Sequence, residues 1–490
     1  MKKNIGLVVG EGTPILIDAF TDEPQPIGKY VLIGGELGVI TQSTAKSRAL
    51  SNVKNFNEAT KAINIPLNTT RDRSYQTKIE IIGNASEISN GIINRSSKPI
   101  VPGTPVSEVD EKILQQIFGP ESVSHLSLGK MKDTPNVSVS VNFTKSCSTH
   151  SFIVGMSGMG KTSFATTYFD ELNKRGATVV VFDYAGEYNI GFERTNCIEP
   201  RINPRFISLD ILAKFLHIGE NAERQMDVLA EAFSEDVKNS KDFWQTLIDT
   251  VTAEDAPRDR RAQRTRVLEK IQSARRTLDA IFDVDTPYPL RGIKEGFVNI
   301  VSLPGYSLQQ ANTALSYYAE NIFKHRERSV RKKDPAALFQ QPVVLAIEEA
   351  HEFISEGKES RAKYWIKRIA AEGRKFGCSI CLVSQRPRQL DRSTISQISS
   401  WAVLRMINNE DKRTIASCSE YLSDEAIASL STMNRGEIML LGEWVAVPTV
   451  TKIEKIERKV GNDLDIAAGW MKNKKMLEKE ERLQSKNSLA

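Results

Sequence analysis

The stretch from residue 155 to residue 163 reads GMSGMGKTS and matches the pattern G-x-x-x-x-G-K-[ST]. Glycines in such a loop let backbone N–H groups turn inward around phosphate oxygens, and the following helix N-terminus adds positive potential. Lys161 is expected to reach the β- and γ-phosphates of ATP, and Thr162 to ligate Mg²⁺. The predicted nucleotide-binding residues are Gly155, Met156, Ser157, Gly158, Met159, Gly160, Lys161, Thr162 and Ser163.

Two adjacent carboxylates, Glu348 and Glu349, directly follow an apolar run that is typical of a buried strand. One carboxylate can help to hold the Mg²⁺ shell, and the other can orient and polarise an attacking water. We assign the metal shell to Glu348 and the water to Glu349, although the reverse assignment stays open. Glutamates at this position are also favoured simply because a helix begins there.

Four further polar residues follow predicted strands or helices of the same region. Asp183 and Glu187 come after the strand that should lie beside the phosphate-loop strand, which predicts that both acids lie near the phosphates. Gln385 ends another strand and could sense the γ-phosphate. Arg374 lies between the acidic pair and Gln385, next to Lys375. It is a candidate catalytic residue, but position alone favours a solvated surface arginine.

The elements that must position these residues alternate between strands and helices from about residue 151. Short apolar runs such as ATVVVFDY, FVNIVSL, CSICLVS and WAVLRMI are typical of parallel strands that are covered on both faces. This pattern predicts an α/β fold, with a core at residues 111–203 and 288–460. Residues 204–287 lack strand candidates and are predicted to form a helical insertion.

The two ends of the chain differ from this core. Residues 1–110 contain short β-rich runs punctuated by glycines, which favour a small barrel or sandwich. The proline-rich residues 98–106 are predicted to be an extended linker. Residues 461–490 are highly charged and are predicted to form a frayed helix or a tail.

Length and composition limit the class of protein. A chain of 490 residues is too long for one typical core, so two or three domains are expected. Five scattered cysteines fit a reducing compartment, and Cys378 and Cys381 are better explained as buried thiols than as half of a metal site. No apolar run is long enough to span a membrane and the N-terminus lacks signal-peptide features, which predicts a cytoplasmic protein without membrane contact.

The net charge of +5 permits a nucleic-acid partner without arguing for one. The densest positive segment is residues 258–276, inside the predicted helical insertion, and phosphate contacts need little more than clustered positive charge. A solvated helix face or a subunit contact would explain the segment equally well. The candidate DNA-contacting residues are Arg258, Arg260, Arg261, Arg264 and Arg266.

The full set of motifs resembles the HerA branch of the HerA/FtsK superfamily of ring-forming ATPases. The resemblance is carried by His150 before the phosphate-loop strand and by the segments FDYAGEY, EEAHEF, EGRKFG, SQRP, LRMINNEDKR and GEIMLLGEWVAVP. Two departures stand out. Tyr184 and Ala185 replace the usual Pro-His, and Glu348 stands where aspartate is usual, which makes the role of Glu348 less certain than that of Glu349.

The resemblance implies a RecA-like P-loop core with mainly parallel sheet behind a HAS-like N-terminal barrel. It further implies a homohexamer with ATP bound between neighbours, where Arg374 would act in trans on the next subunit's γ-phosphate. Members of the family move double-stranded DNA through the ring. A partner nuclease, or another effector such as a sirtuin-type NAD-consuming protein in anti-phage systems, would dock on the barrel.

Two other functions remain compatible with the same catalytic residues. The ring could mainly assemble and switch a partner effector, with little processive movement along DNA. It could also be a related secretion or conjugation ATPase that moves protein or DNA across a membrane, although the lack of a predicted membrane segment argues against this reading.

Overall fold

The computed structural model of the chain describes residues 3–47, 73–90, 92, 94, 97–120, 122–188, 192–219, 221–253, 261–418 and 424–453. The predicted charged tail at residues 461–490 therefore lies outside the described residues.

The N-terminal region forms a closed barrel of antiparallel strands in the order β1-β2-β5-β4-β3-β6. Alternate side chains point inward because successive residues of a strand face opposite sides, and Ile5, Val31 and Ile79 fill the interior. The predicted N-terminal barrel is thus confirmed. Its strands are β1 (Asn4–Val9), β2 (Leu16–Thr21), β3 (Tyr30–Ile33), β4 (Glu36–Ser47), β5 (Arg73–Asn84) and β6 (Pro105–Glu108).

The predicted linker at residues 98–106 is wrong in its last part. Pro105 begins β6, which pairs with β1 on one side and with β3 on the other and thereby closes the barrel. A proline is tolerated at the first residue of a strand, where its missing N–H costs least. The prolines before it concealed this strand in the sequence.

The chain continues through elements that lead to the phosphate loop. They are α1 (Ala85–Ser89), α2 (Glu111–Phe118), β7 (His125–Met131), β8 (Ser138–Asn142), α3 (Phe143–Ser148), β9 (Ser151–Val154), α4 (Lys161–Lys174), β10 (Thr178–Asp183) and β11 (Thr195–Ile198).

The next segment contains helices and 3₁₀ turns: α5 (Leu209–Phe215), α6 (Glu223–Ala232), α7 (Glu235–Asn239), α8 (Phe243–Thr252) and α9 (Arg261–Leu278). Within the described part of residues 204–287 there is no strand, which agrees with the predicted helical insertion. Its apolar side chains, such as Leu212, Leu229 and Trp244, belong to the same buried cluster as one face of the sheet. The insertion therefore packs onto the core.

The rest of the described chain returns to alternating strands and helices. The elements are β12 (Val298–Ser302), α10 (Leu308–Lys332), β13 (Val343–Ile347), α11 (Ala350–Phe353), α12 (Arg361–Glu372), β14 (Cys378–Ser384), α13 (Arg392–Ile395), β15 (Ser400–Leu404), α14 (Asn409–Cys418), α15 (Asp424–Ser429), β16 (Glu437–Gly442) and β17 (Thr449–Lys452).

The core sheet has the strand order β11-β12-β10-β13-β14-β9-β15-β16-β17-β7-β8. Strands from β11 to β15 in this order are parallel, and the remaining four are added antiparallel. The α/β class with a mainly parallel sheet is confirmed.

Parallel pairing gives the sheet two chemically different edges. The C-terminal ends of β9, β10, β13, β14 and β15 share one edge, which we call the carboxyl edge. Their N-terminal ends share the opposite edge, which we call the amino edge. In open α/β sheets ligands bind outside the carboxyl ends of the strands, so a nucleotide site is expected at the carboxyl edge.

Candidate active site

The phosphate loop leaves the carboxyl edge at the end of β9, whose four residues are buried. Gly158 and Gly160 have φ values of +74° and +106°, a region that side chains disfavour, and α4 begins immediately afterwards at Lys161. A Cβ atom on Gly155 would lie 2.6 Å from the Cβ atom of Leu404 on β15. The loop therefore needs glycine both for its turn and for its close approach to the neighbouring strand.

Backbone hydrogen bonds hold this loop against two other segments of the core. The N–H of Met156 donates to the carbonyl of Arg405 at 3.1 Å, and the N–H of Gly436 donates to the carbonyl of Met159 at 3.1 Å. A fixed loop that opens onto a helix N-terminus is suited to phosphate binding, because its backbone N–H groups need no rearrangement.

Lys161 carries the positive charge of this loop. Its Nζ donates to the carbonyl of Met156 at 3.1 Å. Burial lowers the pKa of Lys161, while the carboxyl groups of Glu349, Glu187 and Glu348 act in the opposite direction. The ammonium group therefore lies within electrostatic reach of three of the predicted acids.

Thr162 contacts Glu187, an acid that the sequence predicted only to lie near the phosphates. Its hydroxyl donates to Oε2 of Glu187. The structure thus pairs the predicted Mg²⁺ ligand with Glu187, whereas Glu348 was the acid predicted to share the metal with it.

Asp183 shapes the loop that carries Glu187. Its Oδ1 accepts from the N–H groups of Gly186 (2.8 Å) and Glu187 (3.0 Å), and its Oδ2 accepts from the N–H of Tyr188 (3.1 Å). Its side chain is buried. Three backbone bonds engage both oxygens, so Asp183 positions Glu187 instead of directing a free carboxylate at the phosphate loop.

Glu348 is also buried, and its Oε2 accepts from the N–H of Ala185 at 3.1 Å. Burial raises the pKa of Glu348 well above its usual range, and a hydrogen bond to Asp183 adds to the increase. Burial therefore favours the protonated form of Glu348, which would be a weak metal ligand and a weak base until a cation approaches.

Glu349 differs from its neighbour in backbone and surroundings. It is the residue before α11 and has φ +44° and ψ +45°, a left-handed conformation that costs a non-glycine residue about 1–3 kcal/mol. Its Oε1 accepts from Nε2 of Gln385 at 3.1 Å. Two residues predicted from separate motifs are thus brought into contact at the carboxyl edge.

His351 was missed as a site residue, although the segment EEAHEF contains it. Its Nδ1 lies 3.1 Å from Oγ of Ser384 and 3.2 Å from Oε2 of Glu349. That carboxylate oxygen is buried and makes no hydrogen bond within the described part of the chain. His351 thus lies within ion-pair distance of this oxygen without making a hydrogen bond to it, and the oxygen remains able to accept one from a water.

The oxygens gathered here suit magnesium, which prefers hard oxygen ligands and keeps several of its waters. The residues that would hold Mg²⁺ are Thr162 and Glu187, with Glu348 behind them. The loop, the lysine and these acids therefore fit Mg²⁺ with ATP.

Arg374 is the predicted site residue that the structure separates from the others. It lies in the 3₁₀ turn Gly373–Phe376 at the amino edge, and its side chain is 62% exposed. The seven residues of β14 lie between this turn and Gln385, a distance of roughly 20 Å. Arg374 therefore cannot reach the phosphate loop of its own chain.

The candidate DNA residues are only partly described. Arg258 and Arg260 lie outside the described residues, whereas Arg261 and Arg266 are exposed on α9. Nη1 of Arg264 donates to the carbonyl of Ala253 at 2.9 Å, so this arginine ties α9 to the end of α8.

The two closely spaced cysteines are both buried within β14. Burial raises the pKa of Cys378 and of Cys381 to about 12. Both thiols stay protonated, which supports the reading of two core side chains over a redox pair.

No helix in the described ranges is both long enough and apolar enough to cross a membrane.

Comparison with known proteins identifies the family. The family model for the central domain of helicase HerA matches residues 126–322. A probable helicase of Methanocaldococcus jannaschii is 30% identical over 497 residues, covering 96% of this chain and 94% of that protein. The chain belongs to the HerA helicase family. It is an ATP-hydrolysing, helicase-like enzyme, as its sequence predicted.

Other HerA relatives extend along almost the whole chain. The DNA double-strand break repair helicase HerA of Saccharolobus solfataricus is 28% identical, with 96% of each chain covered. The structure of VirB4 from Thermoanaerobacter pseudethanolicus is 16% identical and covers 69% of this chain and 98% of its own, with a TM-score of 0.51. The VirB4 match supports the P-loop ATPase fold alone.

Proposed function

We propose that this HerA-family chain forms a homohexameric ring that couples ATP hydrolysis to the translocation of double-stranded DNA. One observation supports the ring: Arg374 lies at the amino edge, separated by the length of β14, roughly 20 Å, from the carboxyl edge that carries the phosphate loop of its own chain. A head-to-tail arrangement would bring the amino edge of one subunit to the carboxyl edge of the next, and such heterologous contacts form a ring when the rotation between neighbours closes.

In the composite site, Lys161 would bind the β- and γ-phosphates, and Thr162 with Glu187 would hold the metal. Mg²⁺, when bound, neutralises charge on the phosphate oxygens. Glu349, held by Gln385, orients the attacking water and accepts its proton while the water oxygen bonds to the γ-phosphorus. The bond to the β–γ bridging oxygen breaks, ADP leaves, and Arg374 of the neighbour stabilises the charge on the transferring phosphoryl group.

The choice of DNA as the translocated partner rests on relatives named as DNA double-strand break repair helicases. The barrel is the proposed docking surface for a partner nuclease or another effector. In support, Leu7 and Phe20 face each other across β1 and β2 and are both exposed, at 48% and 46%. Contiguous exposed apolar surface marks protein–protein contacts, and this pair would contribute to such a surface. We also propose roles in DNA processing or anti-phage defence.

Mixed rings test the composite site. Arg374→Ala and Lys161→Ala remove opposite halves of one site, so each pure ring should lose about 10³- to 10⁵-fold in ATP turnover. When the two proteins are dissociated, mixed one to one and reassembled, about a quarter of the sites should again be complete. ATP turnover should therefore reappear. The recovered ATP turnover can stay below a quarter of the parental turnover if subunits must hydrolyse ATP in order around the ring.

The neighbouring residue in the same turn supplies the control. Lys375 is also exposed, and Lys375→Ala should keep parental turnover because its charge lies outside the proposed site. If mixed rings stay inactive while differently tagged protomers prove subunit exchange, Arg374 does not act across an interface and the proposal is wrong.

A further inference from the structure

The turn that carries Arg374 is held by a buried arginine of α10. Nε of Arg326 donates to the carbonyl of Phe376 at 2.9 Å, and its Nη1 donates to the carbonyl of Phe339 at 3.0 Å. The side chain of Arg326 is only 4% exposed. Its planar guanidinium thus joins the last residue of the turn to the segment that leads into β13.

The same turn is closely fitted on its other sides. The ring of Phe376 packs edge-on against Phe323 with centroids 5.5 Å apart, and the guanidinium of Arg331 lies 4.9 Å from the Phe376 centroid. Gly377 has φ +64°, and a Cβ atom there would lie 3.2 Å from Nη2 of Arg326. The backbone of the turn therefore has little freedom to shift.

The side chain of Arg374 makes little contact that would fix its direction. Its Nη1 lies 4.0 Å from Oε1 of Glu443, a contact at the exposed end of a flexible side chain. The direction in which Arg374 projects is therefore set mainly by the backbone of its turn. A buried arginine is a costly way to hold a backbone turn unless its position matters, because burying a charge carries a desolvation penalty.

We propose that Arg326 is a positioning residue for Arg374, holding the turn so that the arginine projects towards the phosphate loop of the next subunit. This inference rests on the proposed function, because it needs Arg374 to act in trans. Arg326 would thus belong to the half of the composite site that the amino edge supplies. It would act through Arg374 and not by contacting nucleotide or DNA.

Two substitutions of Arg326 change this clamp. Arg326→Met removes all donors at similar length, and Arg326→Lys keeps the charge but cannot span both carbonyls. A displacement of about 1 Å at a catalytic group can cost roughly 100-fold in rate, so Arg326→Met should lower kcat by about 10- to 100-fold. KM for ATP should stay within about twofold, since the phosphate loop is untouched, and Arg326→Lys should fall between Arg326→Met and the parent.

Arg328→Met is the matched control. Arg328 lies on the same helix, is half-exposed and pairs with Asp334 without contacting the turn. Its substitution removes the same charge and should leave turnover within about twofold of the parent.

Mixed rings show which half of the site is damaged. Arg326→Met subunits keep a working phosphate loop, so mixing them with Lys161→Ala subunits should restore turnover to about a quarter of the sites. Mixing Arg326→Met subunits with Arg374→Ala subunits should restore no ATP turnover, because both variants damage the half of the site that the amino edge supplies. General destabilisation would produce no such difference between the two mixtures.

Parental activity of Arg326→Met, or recovery with Arg374→Ala, would overturn the inference. If Arg326→Met fails to assemble, Gly377→Ala tests the same clamp, because its Cβ atom meets the guanidinium and its φ becomes strained. Gly377→Ala should show the same one-sided recovery, and recovery with both partners or with neither would contradict the inference. Failure of the Lys161→Ala and Arg374→Ala mixture would instead reject the proposed function.

Discussion

The two edges of the core sheet hold their functional residues in different ways. At the carboxyl edge, six predicted residues lie on four segments, and two pairs among them bond directly: Thr162 with Glu187, and Glu349 with Gln385. Lys161 lies within electrostatic reach of Glu187, Glu348 and Glu349, and the side chain of Glu348 is buried. At the amino edge a single arginine projects into solvent from a tightly clamped turn. The carboxyl edge is therefore organised within one chain, whereas the amino edge presents its arginine outward, as the proposed ring requires.

The sharpest test of the carboxyl edge is Glu349→Gln. The amide keeps the shape but cannot take a proton from water, so turnover should fall by about 10²- to 10⁴-fold while ATP binding persists. Steady-state hydrolysis and equilibrium ATP binding measure the two effects separately.

Glu352→Gln is the control for that substitution, because Glu352 is another carboxylate near His351 on the same short helix. It should keep turnover within about threefold of the parent. A mild defect in Glu349→Gln together with a severe one in Glu348→Gln would show that the two acids have the opposite roles.

The pH dependence of stability tests whether Glu348 holds a proton. Because its pKa is raised in the folded chain, the folded state keeps this proton above pH 4.5, the ordinary pKa value of a glutamate, while the unfolded state releases it. Stability should therefore be complete at lower pH and fall as pH rises above that value. Glu348→Gln replaces the titrating carboxyl group with an amide that cannot ionise, so its melting temperature should fall less than the parent's between about pH 6 and pH 9.

The measurement is thermal denaturation without nucleotide and without Mg²⁺, since a nearby cation would stabilise the charged carboxylate. Glu269→Gln, which alters an exposed carboxylate on α9, should leave the pH dependence as in the parent. If melting temperature falls with pH equally steeply in Glu348→Gln and in the parent, Glu348 is already ionised at neutral pH.

The smallest expected effect lies outside both edges, on α9. The double variant Arg261→Ala, Arg266→Ala should weaken duplex binding and reduce the log–log salt slope by about one for each phosphate that it no longer neutralises. Duplex DNA should also raise ATP turnover in the parent, and this stimulation should be smaller in the double variant. Arg264 is spared because its side chain holds the end of α8.

Arg275→Ala is the control, because Arg275 already donates to Gln245 and its removal changes the net charge without touching the exposed arginines of α9. An unchanged salt slope in the double variant would assign those exposed arginines to the surface or to a subunit contact. Absence of any stimulation by duplex DNA would favour an ATPase that mainly switches a partner effector.

Much of the architecture could be predicted because its determinants are local. Parallel strands buried on both faces are continuous apolar runs, so β10, β12, β13, β14 and β15 were all recognisable in the sequence. The phosphate loop was recognisable because its glycines are required by backbone conformation. The strand β6 was not recognisable in the sequence, because prolines are typical of loops. Only the pairing of β6 with β1 and β3 shows that residue 105 belongs to a sheet.

The details of the site depend on partners that lie far apart in sequence. That Asp183 is engaged by three backbone N–H groups follows from the path of its loop, which residue types do not encode. The left-handed backbone of Glu349 is equally invisible, because only surrounding packing holds a non-glycine residue there. The role of Arg264 likewise became clear only once the end of α8 was placed beside it.

The order of strands in the core sheet also decides when the chain can fold as it leaves the ribosome. All six barrel strands lie before residue 109, so their pairing needs only contacts that are comparatively short in sequence. The phosphate-loop strand β9 instead pairs with β14 and β15, and Ser151 meets Cys381, 230 residues later (381 − 151). Such distant pairing is slow. The barrel should thus be complete while the ATPase half is still a growing chain whose strands await partners that have not been synthesised.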